Sequence, residues 1–192
     1  MPELPELDVL VENLRAQLTG MRVRSVRVVS VAALKTFDPP VDVLAGHTIA
    51  GAGRRAKYVW LELDGGSGGL KSEARAQAPE AEAEPSVSPP VGRGSGGQSG
   101  LHLVMHLALG GRLTLGPKPA SRKVAVLTVE LDDGRVLSMT EASTQRRAAV
   151  WLVGKLDQVP GLAALGPEPL DPDFTVERLG EILAGGGRPL RA

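Results

Sequence analysis

The amino-acid sequence predicts a mainly β protein, a two-layer antiparallel β-sandwich flanked by helices. Two observations carry that expectation. Short segments rich in Val and Leu recur between Gly, Pro and Asp turn signals through the middle of the chain. Helical spacing of apolar residues, by contrast, is confined to the two ends. Strands in series bracketed by helices pack most simply as two sheets around one core, with a helix at each end.

The elements follow in chain order. Over Leu4–Leu18, Leu7, Leu10, Val11, Leu14 and Leu18 fall on one face, and Pro5 and Glu6 suit a first helical turn. Residues 21–32 read as a Val-rich strand with Arg at alternate positions, and 37–40 as a turn before a short helical turn at 41–44. Residues 48–50 and 56–63 read as two strands joined through Gly51-Ala52-Gly53. From 64 to 100 the composition shifts to Gly, Ser, Pro, Ala and Glu, with no aromatic residue. Such a stretch buries too little to fold, so a disordered insert in a hairpin loop is expected over 65–100. Strand-like sequence resumes at 101–109, and Gly110-Gly111 marks a turn or bulge before 112–115. Residues 123–131 and 135–140 flank Asp132-Asp133-Gly134, a strong hairpin signal. Residues 147–153 form another apolar strand, and 174–183 a short helix opening near Asp173 or Thr175. The expected organisation is one domain over 1–184, interrupted by the insert, with a tail at 185–192.

Composition narrows the chemistry. At 192 residues the chain can bury a sizeable core. It has no Cys, which excludes disulfides, thiol catalysis and thiolate zinc sites. No apolar run approaches the ~20 residues of a membrane span, and the N-terminus is not a secretory signal, so an intracellular protein that uses no membrane is expected. Lys plus Arg and Asp plus Glu both number 22, giving zero net charge. That total is unlike a strongly basic nucleic-acid binder, but phosphate contacts need only local cations. Such clusters exist at Arg22, Arg24 and Arg27, at Arg54, Arg55 and Lys57, and at Arg146-Arg147.

Met1-Pro2-Glu3-Leu4-Pro5-Glu6 is the stretch with the most chemistry. Removal of Met1 before a small residue would expose the secondary amine of Pro2. An α-amino group titrates near pH ~8, so part of it is neutral and nucleophilic at physiological pH. A secondary amine attacking a sugar carbon gives an iminium directly. Glu3 beside it could move the protons, and Glu6 one turn on could hold the terminus. The same residues also fit a plain helix start. Arg54, Arg55 and Lys57 could grip phosphate by charge, or could be a solvated strand end. His102 and His106 are separated by about 13 Å along a strand, whereas one metal needs ligands ~2 Å away, so no metal site is expected.

The first six residues resemble the start of the formamidopyrimidine-DNA glycosylase and endonuclease VIII family. Further segments resemble it in the same order. Arg54-Arg55-Ala56-Lys57-Tyr58 is similar to the family's loop with a functional lysine. Met105-His106-Leu107-Ala108-Leu109-Gly110-Gly111-Arg112-Leu113 is similar to its His-Leu-x-Met-x-Gly-x-Leu segment. Thr140-Glu141-Ala142-Ser143-Thr144-Gln145-Arg146-Arg147-Ala148-Ala149 is similar to a lengthened Thr-Asp-Pro-Arg-Arg-Phe-Gly, and Leu165-Gly166-Pro167-Glu168-Pro169-Leu170 to a further segment.

The resemblance implies the fold of that family's N-terminal catalytic domain and a base-excision glycosylase with abasic-site lyase activity on oxidised purines or abasic sites. It implies Pro2 as nucleophile, Glu3 as general acid and base, and Glu6 and Lys57 in support. Arg54, Arg55, His106, Leu109, Arg146 and Arg147 would contact damaged DNA. Leu109 falls where relatives insert a Met into the gap left by the flipped nucleotide, and Ala148 where they carry an intercalating Phe. No cofactor is implied, and a monomer is expected. Relatives continue past Arg188-Pro189-Leu190 into a helix-two-turn-helix DNA-binding domain, often with a four-cysteine zinc finger, which has no counterpart in this sequence. The other reading is a catalytically weak or inactive remnant that keeps the sandwich and binds DNA.

Overall fold

The apolar stripe of the N-terminal segment forms helix α1, Leu4–Leu18, with the bounds expected from its spacing. Leu7, Val11, Leu14 and Leu18 are buried, and α1 packs on strand β2, Thr48–Arg55. Burying each of these side chains contributes about 1.5–3 kcal/mol. The Arg15 guanidinium adds a hydrogen bond from Nε to the Ala52 carbonyl of β2. The computed structural model describes residues 4–65, 100–169 and 171–185.

The remaining strands are β1, Val23–Val28; β3, Tyr58–Asp64; β4, Leu101–His106; β5, Gly111–Gly116; β6, Ala125–Leu131; β7, Val136–Glu141; and β8, Ala149–Val153. They form two four-stranded antiparallel sheets, ordered β1-β6-β7-β5 and β2-β3-β4-β8. The principal core lies between them and α1, built from residues such as Leu61, Leu103, Met105, Leu127 and Leu137. A smaller apolar cluster covers the outer face of the second sheet. There Val104 and Val153 meet Leu162 of a short helix α2, Pro160–Ala163, and Val159, which joins α2 to a 3-10 turn at Leu156–Gln158. Helix α3, Val176–Gly185, follows, and Thr175 Oγ1 accepts from the Arg178 N–H in its first turn. No helix among the described residues is long and apolar enough to cross a membrane.

Several boundaries differ from the sequence expectation. The stretch 21–32 is not one strand: β1 ends at Val28 and a 3-10 turn follows at Val31–Ala33. Gly51-Ala52-Gly53 is not a connection but the middle of β2. A bulge separates Ile49 from Gly51 in the register, and Gly53 pairs with Trp60. A Cβ on Gly53 would come within 2.4 Å of the Trp60 ring, so glycine is required there by the indole lying across it. The strand expected over 101–109 stops at His106. Helix α2 was not foreseen.

β3 and β4 pair antiparallel out to Leu63 and Leu101. Of the insert expected over 65–100, residues 66–99 lie outside the described residues, as does the tail beyond Gly185.

Candidate functional site

Three connections and the start of α1 meet at one end of the sandwich. β2 and β3 are joined by a tight turn at Ala56 and Lys57, with Arg55 opposite Tyr58 and Ala56 at φ 49°. The Lys57 carbonyl accepts the Leu107 N–H at 3.1 Å, which ties this turn to the β4–β5 connection. That connection closes on itself through the Gly111 N–H and the Leu107 carbonyl, 2.7 Å apart, with Ala108 at φ 49°. Gly111 fits because a Cβ there would lie 2.3 Å from the Leu107 carbonyl oxygen. The turn buries Leu107 and leaves Leu109 49% exposed at its tip.

His106 ends β4, between Tyr58 of β3 and Ala149 of β8 in the register. Its ring lies 4.5 Å from the Tyr58 ring, tilted by 36°. Burial, and then the Lys57 charge, lower its pKa below 6.5, opposed by a hydrogen bond to the Arg147 carbonyl and by the Glu141 charge. The neutral imidazole is therefore favoured near neutral pH.

The β7–β8 connection carries Arg146 and Arg147, both exposed. It is pinned by Glu141, the buried last residue of β7. The Glu141 carboxylate accepts the Arg147 and Ala148 N–H groups, each at 3.0 Å, and the Ser143 hydroxyl lies 3.2 Å away. The Arg146 guanidinium reaches the Lys123 carbonyl at 2.9 Å. A cleft of about 840 Å³ opens beside these loops, lined by Glu6 and Leu10 of α1, Leu109, Gly110, Arg112 and Ser143.

The anticipated residues thus separate into groups. Glu6 and Leu109 share the cleft, while Lys57 and Arg147 lie about His106 at the end of β4, together with Glu141, which was not anticipated. Arg54 and Arg55 do not join Lys57 in one grip. The Arg54 guanidinium pairs with Asp8 of α1, its side chain 11% exposed, and Arg55 donates to the Gly166 and Leu165 carbonyls on the other side of the strand. Alternation along β2 explains this, since neighbouring side chains leave a strand on opposite faces. Pro2 and Glu3 lie outside the described residues.

Ala148 differs from its expected place. It is 6% exposed and belongs to the principal core, so a side chain there faces inward rather than into the cleft. The lengthened loop puts its exposed positions before Ala148, not at it. Glu141 was missed as a functional residue. The signal was an acidic residue closing an apolar strand ahead of a polar loop.

Residues 1–149 match the formamidopyrimidine-DNA glycosylase N-terminal domain family. This chain belongs to that family. Among curated formamidopyrimidine-DNA glycosylases, one from Mycobacterium sp. (strain JLS) is 33% identical over 195 aligned residues, covering 96% of this chain and 57% of the relative. One from Mycobacterium tuberculosis (strain ATCC 25177 / H37Ra) is 33% identical, covering 95% and 56%. The chain therefore spans a little over half the length of these glycosylases. The fold is similar to that of the Lactococcus lactis formamidopyrimidine-DNA glycosylase solved bound non-covalently to DNA containing an abasic site, with a TM-score of 0.65 at 22% identity over 96% of this chain and 58% of that one. A MutM structure in complex with DNA containing carbocyclic 8-oxo-G gives 0.63 at 20% identity, covering 96% and 57%.

Proposed function

We propose that this chain is the catalytic portion, over 1–184, of a base-excision glycosylase with abasic-site lyase activity. The observation that carries the reading is the cleft shared by the exposed Leu109 and by Glu6 in the first turn of α1, four residues after Pro2. The known DNA complexes of structural neighbours, which hold abasic-site and carbocyclic 8-oxo-G DNA, support damaged DNA as the partner.

In this proposal the Pro2 amine, freed by loss of Met1, attacks the anomeric carbon of the damaged nucleotide. The bond from that carbon to the base breaks, and the base leaves with a proton. Glu3 delivers protons during ring opening and removes one from the sugar during elimination, which releases the 3′ strand. Water then hydrolyses the iminium. Glu6 steadies the terminus, and Leu109 enters the gap left by the flipped nucleotide. Lys57, His106, Arg146 and Arg147 meet the strand and its phosphates, while Arg54 and Arg55 act by bracing the turn that carries Lys57.

Borohydride should trap a covalent adduct between the protein and abasic-site DNA. Pro2→Gly should weaken the adduct and a blocked terminus should abolish it. Undiminished trapping by the blocked protein would move the chemistry to a lysine. The second reading, a DNA-binding remnant without turnover, is favoured by the buried Ala148 at the position matched to an intercalating Phe. Binding of abasic DNA without any trapped adduct would establish it instead.

A further inference from the structure

We infer that Glu141 is a positioning residue, whose buried carboxylate sets the path of the loop 142–147 and so the direction in which Arg146 and Arg147 face DNA. The inference rests on the DNA-facing role proposed above for those arginines.

Glu141 is 2% exposed. A carboxylate removed from water is costly unless hydrogen bonds replace its hydration. Here both oxygens are occupied. Oε1 accepts the Arg147 N–H at 3.0 Å and lies 3.2 Å from the Ser143 hydroxyl, and Oε2 accepts the Ala148 N–H at 3.0 Å. These partners stand at the two ends of the loop, so one side chain clamps it across its base. The Ser143 hydroxyl is also 2.8 Å from the Gln145 carbonyl, which extends the clamp toward Arg146.

Nothing apolar anchors the loop between those points, since Ala142, Thr144, Gln145, Arg146 and Arg147 are all exposed. Hydrogen bonds from backbone N–H to an ionised carboxylate are about twice as strong as neutral ones. The clamp also fixes the loop relative to the Leu109 turn. Glu141 pairs with Gly111 across β5 and β7, and Gly110 leaves room for Ser143, whose Cβ would lie 3.1 Å from a Cβ there. On the far side, His106 donates to the Arg147 carbonyl. Arg147 is thus held through its backbone at both N–H and C=O, which leaves its side chain to point outward.

The test uses the full chain and a fluorescent duplex carrying one abasic site, with Kd read by anisotropy. Glu141→Gln keeps the shape but puts an amide donor against a backbone donor, and is expected to raise Kd about tenfold. The slope of log Kd against log salt should fall by up to about 1 for each phosphate that the arginines no longer reach. In an Arg146→Ala, Arg147→Ala background the same substitution should change Kd less than twofold, because the side chains it aims are gone. An equal rise in both backgrounds, or an unchanged salt slope, would mean a general structural role and overturn the inference. Should Glu141→Gln fail to fold, Ser143→Ala removes only the hydroxyl brace on an accessible loop. It should raise Kd two- to threefold, again only when the arginines are present, and no rise would overturn the inference. Absence of binding by the parent chain would overturn the DNA-facing reading and this inference with it. Binding without the coupling would overturn the inference alone.

Discussion

Trp60 lies across Gly53 because the register sets them side by side on one face of the sheet. The indole Nε1 donates to Glu62 at 3.2 Å, which fixes the ring in that orientation. Gly53→Ala should destabilise by about 1–3 kcal/mol in urea unfolding, since the added methyl must displace a held ring. In a Trp60→Ala background the same change should cost less than about 0.5 kcal/mol, and an equal cost would show that the clash is not the cause. His106 carries a second expectation at this scale. Its folded pKa lies below 6.5, so the unfolded chain binds more protons between that pKa and 6.5, and stability falls as pH drops through this window. Burial is the main cause of the shift, Lys57 adds to it, and the Arg147 backbone and Glu141 oppose it. The thermal midpoint of the parent should drop more between pH 7.5 and 5.5 than that of His106→Gln. Equal drops would assign the acid sensitivity to other groups.

Whole elements were legible where one local rule governs them. Helix α1 follows from apolar spacing alone, and the Asp132-Asp133-Gly134 hairpin from turn chemistry, with Gly134 at φ 84°. The misreadings share a cause. Gly51 and Gly53 look like turn residues until the strand opposite is known to carry Glu62 and Trp60, which no local window reveals. β4 ends at His106 because the connection bonds to the Lys57 carbonyl, a partner distant in the chain. The candidate site shows the same division. Its cations and Leu109 stand out in the sequence, whereas the clamp by Glu141 and the diversion of Arg54 to Asp8 depend on packing. Burial of Ala148 gives a further expectation for the β7–β8 region. Ala148→Phe should cost about 1–3 kcal/mol by overpacking and should not improve activity on paired DNA. Stability kept and activity raised would place that side chain in the cleft after all.

For the molecule as a whole, the proposed activity depends on opening DNA. Flipping a nucleotide from a paired duplex costs a few kcal/mol, and least where the base is already unpaired. Among the described residues, Leu109 is the exposed large apolar side chain lining the cleft, and none of those lining it is aromatic. Each shortfall of about 1.4 kcal/mol lowers the rate tenfold. Adduct formation by this chain should therefore be at least about tenfold faster on abasic sites in single strands or bubbles than in intact duplex. Equal rates would show that opening the duplex is not limiting. The layered architecture also has an optical consequence. The two tryptophans, Trp60 and Trp151, both pack against the small outer cluster under α2, and neither belongs to the principal core. Ultraviolet emission excited at the indole band is thus a gauge of the outer layer, while the far-ultraviolet dichroism of the sheets follows the rest. If α2 and its flanking turns lift away before the sheets melt, the emission changes first.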